Sequence, residues 1–361
     1  MKIEKKAEGK IRVIILMMVM MVMGCNSGGV EGEGQVEAKS LSEVLMEVGR
    51  SAGDAFYSFL ELVSGSLGFS VTKETKKEDV GKYFNSLGEK IGVASEELEK
   101  VAVKASADVD KEGVLINKAI RAAVDSAKTT LKGLKGHLES LKGIGDGTVV
   151  GEANNAEGEG TAPDDAQLKA MFNGLKGIVE IAIEEGVAKP EAGNTAVKVG
   201  NANNKDGAKI LSTHNGNNPA AADAGKAAAI LTTVSGKEIL GAIVQSGESD
   251  LALSSAASGA TTAMSFARGN NGDHLAQDTA KAAAVAGGIA LRALVKTSKL
   301  AAGGNSDAQG GGKEVQGVGI SAVNKLLVAV GDMIKKTVKN VLEKVKQEVD
   351  KARDPKAVSQ Q

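Results

Sequence analysis

The chain has a single cysteine, Cys25, among its 361 residues, so it cannot form an intrachain disulfide. It has no Trp, two Tyr and six Phe. Strands favour aromatic and β-branched residues, so this scarcity argues against a sheet protein. Only four Pro are present, so few helices are interrupted. Three His, spread over positions 137, 214 and 274, have no metal-ligand spacing. Nor is there an excess of positive charge. The net charge is −1, and a nucleic-acid binder needs a strongly basic face. What remains is rich in Ala, Gly, Lys and Glu. Ala, Lys and Glu favour helix, so the expected class is all-α with Gly-rich connections.

The lone cysteine ends a distinctive stretch. Lys2, Lys5, Lys6, Lys10 and Arg12 form a basic start, Val13 to Met23 is an unbroken apolar run, and Gly24 precedes Cys25. Positive segment, short apolar segment and small residue are the parts of a secretory signal. The run of 11 residues is too short for a membrane-spanning helix, which needs about 20. Val22-Met23-Gly24-Cys25 therefore reads as a bacterial lipobox, with residues 1–24 as signal peptide and Cys25 as the lipidated first residue. Stable anchoring takes more than one acyl chain, at about 0.8 kcal/mol per buried CH₂. Without the signal the chain carries 39 basic and 43 acidic residues, a net charge of −4.

Residues 25–39 are Gly, Ser and Glu and read as a flexible tether. A single helical domain is expected over 40–361. Ser40 and Glu43 have capping-box spacing. They open a helix whose apolar residues, Leu41, Leu45, Val48, Ala52, Phe56, Phe59, Val63 and Leu67, recur at the helical period. Six of the eight aromatics lie between Phe56 and Phe84, so the bulkiest core is expected there. Further helices are expected over Val80–Ile91, from Ser95 to Ala105, and from Val114 through Leu131, Leu134, Leu138 and Leu141. His137 falls on the solvated face of the last of these. Others are expected over Met171–Val187, Ile230–Val244 and Val285–Val295. The last helix is the clearest, with Val323, Leu327, Val330, Ile334, Val338, Val341, Val345 and Val349 in one stripe. Lys344 and Glu348, four apart on its outer face, are placed to pair. Three segments, near 144–165, 191–218 and 301–312, lack apolar periodicity and are expected to be exposed, mobile loops. The matched stripes of the first and last helices predict that these two pack together. Such a pairing would set the chain ends near the membrane and the loops at the far end.

Signs of chemistry are few. Gly312-Lys313 has the end of a phosphate loop, but Asp307 stands at the first Gly position and Glu314 at the Ser/Thr position. Gly317-Val318-Gly319-Ile320-Ser321-Ala322 fits a loose dinucleotide fingerprint, yet no apolar strand precedes it; these glycines read as the end of a loop. Asp223-Ala-Gly-Lys226-Ala-Ala-Ala229 resembles Asp278-Thr-Ala-Lys281-Ala-Ala-Ala284, a short match that duplication and shared helix packing explain equally well. No catalytic, cofactor-binding or metal-binding residue is assigned.

Three stretches carry a family resemblance beside the lipobox leader. They are Gly174-Leu175-Lys176-Gly177-Ile178-Val179, Ala286-Gly287-Gly288-Ile289-Ala290-Leu291-Arg292-Ala293-Leu294-Val295-Lys296, and the tail from Val338 through Lys356. Together they resemble the variable large proteins of relapsing-fever Borrelia, relatives of the variable surface antigen of the Lyme group. The resemblance implies an elongated helical bundle and no enzymatic activity. It implies a surface-exposed, antigenically variable outer-membrane lipoprotein that evades host antibody. Its implied partners are the outer membrane, through lipid on Cys25, and host antibodies. An adhesin taking a host ligand through the same loops is the alternative reading. Whether such a ligand exists, and whether the chain dimerises, is left open by the sequence.

Overall fold

The computed structural model describes residues 69–105, 113–199, 201–214 and 216–352. Cys25 and the helix expected from Ser40 to Leu67, with its pairing to the last helix, lie outside them. Among the described residues the fold is helical, and β1 (Lys198–Val199) and β2 (Ala202–Asn203) form a single small antiparallel pair.

α1 (Lys77–Ala105) and α2 (Gly113–Ser140) form an antiparallel pair. Two helices were expected where α1 runs unbroken through Ser95. The stripe explains this: Ile91, Ala94, Leu98 and Ala102 keep one phase and are all buried, so packing outweighs the local capping preference of Ser95. In α2 the inward residues are Ile120, Val124, Ala127, Leu131, Leu134 and Leu138. Ala119 and Ala122, which fall in the apolar pattern read for this helix from Val114, are exposed. Alanine marks a helical phase weakly because burying its methyl contributes little, and the larger Ile and Val decide the face. A 3₁₀ turn over Leu141–Gly143 ends the hairpin.

α3 (Asp165–Glu184) is capped by Asp164, whose carboxylate accepts from the Gln167 amide at 2.9 Å. It buries Phe172, Leu175, Ile178, Val179 and Ala182, while Ile183 stays 40% exposed. The single helix expected over Ile230–Val244 is two helices, α4 (Asp223–Thr232) and α5 (Gly236–Val244), bent by 96°. Ser235 explains the break. It forms a full capping box with Glu238, and Lys325 Nζ donates to the Leu231 and Val234 carbonyls at 2.7 Å each. Both ends of the break are thereby satisfied. Short helices α6 (Ala263–Arg268) and α7 (Gly272–Leu275) follow.

α8 (Ala282–Leu294) is the centre: every one of its residues is buried. It has no polar face to turn to water, and its Ala and Gly residues let neighbours come close. It packs against α1, α4, α5, α6 and α9. The Ala-rich match between 223–229 and 278–284 is not structural. Asp223 opens α4, whereas Asp278 lies four residues before α8 begins.

α9 (Gly312–Ala352) is long and apolar enough to cross a membrane, but its stripe from Val315 to Val349 is buried against α2, α3, α5 and α8. Gly317 to Ala322 lie inside α9 rather than in a loop. Gly319 is where residue Gly151 crosses, and a Cβ at Gly319 would stand 2.8 Å from the Gly151 Cα. Lys344 reaches across to Glu185 at 2.6 Å instead of pairing with Glu348, which holds Lys351 at 2.5 Å. The described chain enters the fold against α9: the Val71 amide donates to Asn324 Oδ1 at 2.8 Å and Asn324 Nδ2 donates to the Val71 carbonyl at 3.0 Å. Phe69 and Tyr83 stack at 4.4 Å beside Phe84. They are the described members of the expected aromatic cluster.

Candidate functional site: a woven cap of loops over a buried helix

The three segments expected as separate exposed loops lie together and bind one another. Ala153 pairs with Leu300, Gly158 with Ala302 and Thr161 with Lys299 in isolated β-bridges. The Gly160 amide donates to the Ser212 carbonyl at 2.8 Å, and the Ala301 amide to the Ile210 carbonyl at 2.8 Å. Ile144, Val150, Val197, Ile210, Leu211, Ala301 and Ala302 are buried. The expectation of loops exposed throughout is therefore corrected. Low apolar content does limit burial, but here backbone pairing supplies the order. The glycines serve close approach as well as flexibility, since a Cβ at Gly160 would sit 2.2 Å from the Lys299 carbonyl oxygen. Exposure is concentrated at tips such as Asn155 to Glu157, Asn194 to Ala196, Asn201 to Asn203, Gly216 and Asn217, and Asp307 to Gln309.

Two buried cations hold the cap to α8. Arg292 is fully buried, and among the described residues its guanidinium donates to carbonyls rather than to a carboxylate. Its Nε donates to Ala267 O at 2.6 Å, one terminal nitrogen to Lys299 O at 3.3 Å and the other to Leu211 O at 3.4 Å. Those carbonyls come from the end of α6, the segment after α8, and the middle loop. Burial pushes the Arg292 pKa down to about 9, which leaves it cationic at neutral pH. Lys77, also buried, donates to the Ser298 carbonyl at 2.6 Å and hydroxyl at 3.2 Å. The Ser298 hydroxyl donates in turn to the carbonyls of Arg292 and Val295. Asp146 fixes the same turn, accepting from the Thr297 amide at 2.7 Å where Thr297 has φ +65°.

Burial lowers the Lys77 pKa to about 8, against the attraction of Asp146 and Glu152 and with weaker repulsion from Lys299 and Arg292. The unfolded chain therefore holds more protons between pH 8 and 10.5, so stability rises with pH across that window. The cost of the buried charge is present in full below about pH 8. Against Lys77→Met, the wild-type protein is expected to gain stability through this window, with a slope approaching about 1.4 kcal/mol per pH unit. Urea titrations at pH 7.5, 8.5 and 9.5 measure it; parallel curves for the two proteins would contradict the assignment.

None of this is a catalytic arrangement. Among the described residues no three His, Cys, Asp or Glu converge as metal ligands. Lys313 pairs with Asp307, and Glu314 accepts from the Gly310 amide at 2.7 Å, so an acidic side chain fills the turn where a phosphate loop would take its anion. His214 is exposed. His137, expected on the solvated face, is half-buried: its ring lies on Gly177 of α3, where a Cβ would stand 2.1 Å from Cε1. A Cβ at Gly174 would meet Leu141 at 2.5 Å. The two glycines of the Gly174–Val179 stretch are thus the contact points of α3 on the α2 hairpin, and Gly287 and Gly288 play that part in α8.

Residues 52–349 match the family described as Borrelia lipoprotein. The chain belongs to that family. It is 57% identical to variable large protein 25 of Borrelia hermsii, over 97% of each chain, and 56% identical to variable large protein 21 of the same organism, over 98% of this chain and 97% of the relative. The crystal structure of the Lyme disease variable surface antigen VlsE of Borrelia burgdorferi is similar at a TM-score of 0.64 and 26% identity, covering 87% of this chain and all of that one. Those relatives are named as variable proteins and a surface antigen, not as enzymes. In this chain the fold thus places a wholly buried helix beneath a cap whose backbone is paired and whose tips are exposed.

One exposed segment left no mark in the apolar periodicity. Residues 245–262, between α5 and α6, have no regular structure, and Leu251 there is 80% exposed. The signal that could have found it is composition: Ser254-Ser255-Ala256-Ala257-Ser258-Gly259 is a run of small residues.

Proposed function

We propose that this lipoprotein is held on the outer surface of the outer membrane by lipid on Cys25, and that its cap tips meet host antibody, whose recognition is evaded by changing them. Support comes from the family, whose named members are variable large proteins and a variable surface antigen. The observation that carries the reading is the division within the cap. Its order rests on backbone hydrogen bonds and a few buried apolar residues, while side chains such as Asn155, Glu157 and Asp307 face water. Exposed positions of this kind tolerate substitution within about 0.5 kcal/mol. Truncating a buried Leu or Ile costs about 2–5 kcal/mol. Sequence can then drift at the surface without loss of fold. The expected N-terminal helix pairs with α9 in this reading and keeps the anchored end of the chain beside it.

The test is Cys25→Ser in cells fed labelled palmitate. Wild-type protein should take the label, sediment with membranes and bind antibody on intact cells. The variant should take none and leave the membrane fraction. Label entering the Cys25→Ser protein, or antibody failing to reach the wild-type protein on intact cells, would sink the proposal.

A further inference from the structure

We propose that Asn270 is a self-modifying site: its side-chain amide is lost to attack by the Asn271 backbone nitrogen, and the loss frees the anchor that Asn270 gives to residues 245–262. The only reactant besides this chain is water.

The sequence does not single Asn270 out. Four Asn-Asn steps are present, at 154–155, 203–204, 217–218 and 270–271. By chain chemistry alone Asn271 would react faster, because Gly272 follows it and a glycine has no Cβ to hinder the approach of its nitrogen. Geometry reverses that order. The Asn271 amide donates to Asn270 Oδ1 at 2.6 Å. Cγ lies one C=O bond behind that oxygen, about 1.2 Å, so the nitrogen is held at near-attack range. The charge of a deprotonated Asn271 nitrogen spreads onto the Asn270 carbonyl, which accepts from the Thr213 amide at 2.9 Å. A fixed donor at an oxygen where negative charge develops lowers the barrier. Arg292 adds a positive field: a Cβ on Gly269, the residue before, would stand 2.6 Å from one of its terminal nitrogens.

Asn271 is held the other way. Its Oδ1 accepts from the His274 amide at 2.9 Å as the cap of α7. The Gly272 amide is turned to the Gly216 carbonyl at 3.3 Å. Nucleophile and carboxamide are each engaged elsewhere.

The step balances without an oxidant. The bond from Asn271 N to Asn270 Cγ forms, the Cγ–Nδ2 bond breaks, and Nδ2 leaves as ammonia with the backbone amide proton. Water then opens the ring at either carbonyl, leaving Asp or its β-linked isomer at position 270. Asn270 is half-buried, so water reaches it. The product cannot do what Asn270 does. Asn270 Nδ2 donates to the carbonyl of buried Leu253, whereas a carboxylate only accepts. The β-linked isomer also lengthens the main chain by one carbon at the bridge between Ser212 and Asn270.

The test ages full-length protein at pH 8.5 and 37 °C in oxygen-18 water, folded and in urea, and reads each asparagine by peptide mapping. Folded protein should convert Asn270 several-fold faster than Asn271, and urea should reverse the order. Asn271 converting first in folded protein, Asn270 staying intact there, or one order with and without urea overturns the proposal. Hydrogen exchange then compares aged with fresh protein, and Asn270→Asp with wild type. Amides around Leu253 should exchange several-fold faster in the aged and variant proteins. Unchanged protection at Leu253 in aged protein overturns the release of the anchor. That reading needs no variant, so a misfolded Asn270→Asp leaves the test standing.

Discussion

Arg292→Leu is expected to lower stability by about 4 kcal/mol, and melting temperature by about 10 °C. The guanidinium serves carbonyls of Leu211, Ala267 and Lys299, which come from three segments of the chain. Leucine fills part of the volume but donates nothing. An orphaned buried acceptor costs about 1–3 kcal/mol, and two arise together at Leu211 and Ala267, while the Lys299 carbonyl keeps the Thr161 amide at 2.9 Å. Replacing a buried ion pair with apolar groups can be neutral when both partners go; backbone carbonyls cannot be replaced. Arg292→Lys should fall between, because one ammonium cannot span the same three acceptors in their fork geometry. Total stability is typically 5–15 kcal/mol, so the leucine variant should be close to unfolding at 37 °C. Thermal melts followed by circular dichroism measure this. Equal melting temperatures for wild type and Arg292→Leu would mean that the freed carbonyls find water, and that the cap does not hang from this residue.

The α-helical class, and the stripes of α3 and α9, were legible in the sequence because large apolar residues at the 3.6-residue period leave little freedom of phase. The bend between α4 and α5 was not. It rests on a Lys325 side chain from a helix about ninety residues away in sequence. The cap was half legible. Gly, Asn and Ala marked its segments as non-helical, but its order comes from backbone bonds such as Ala301 to Ile210, which depend on no side-chain period. Gly160 illustrates the ambiguity: the residue that reads as flexible is the one that allows two chains to touch. Arg292 was visible as the charge that closes an apolar run. Its burial was not, since all three acceptors lie outside that run. Of the candidate site residues, Cys25 was read from its setting alone and stands outside the described structure.

Gly288→Val in α8 is expected to cost about 3 kcal/mol, while Gly331→Ala in α9 should be neutral or stabilising by up to about 1 kcal/mol. Local propensity favours both changes, since Gly is the poorest non-proline residue in a helix interior. Surroundings separate them. A Cβ at Gly288 would lie 2.5 Å from the Phe266 Cβ and 3.1 Å from the Ala267 amide nitrogen. These are main-chain and Cβ atoms of α6, which cannot swing aside as a long side chain can. Gly287 is as tight, with Ala263 Cβ at 2.8 Å and Ile243 Cγ1 at 3.2 Å. At Gly331 nothing stands within 4 Å. If α6 is forced off α8, Ala267 moves with it, and with Ala267 goes the shortest of the bonds to Arg292. The Gly288→Val loss should therefore exceed the sum of the contacts it breaks, and it should be non-additive with Arg292→Leu, because both act on one joint. Urea unfolding of the two single variants and the double variant gives the coupling directly. Strict additivity, or a Gly288→Val protein as stable as wild type, would show that α6 and the arginine are held independently.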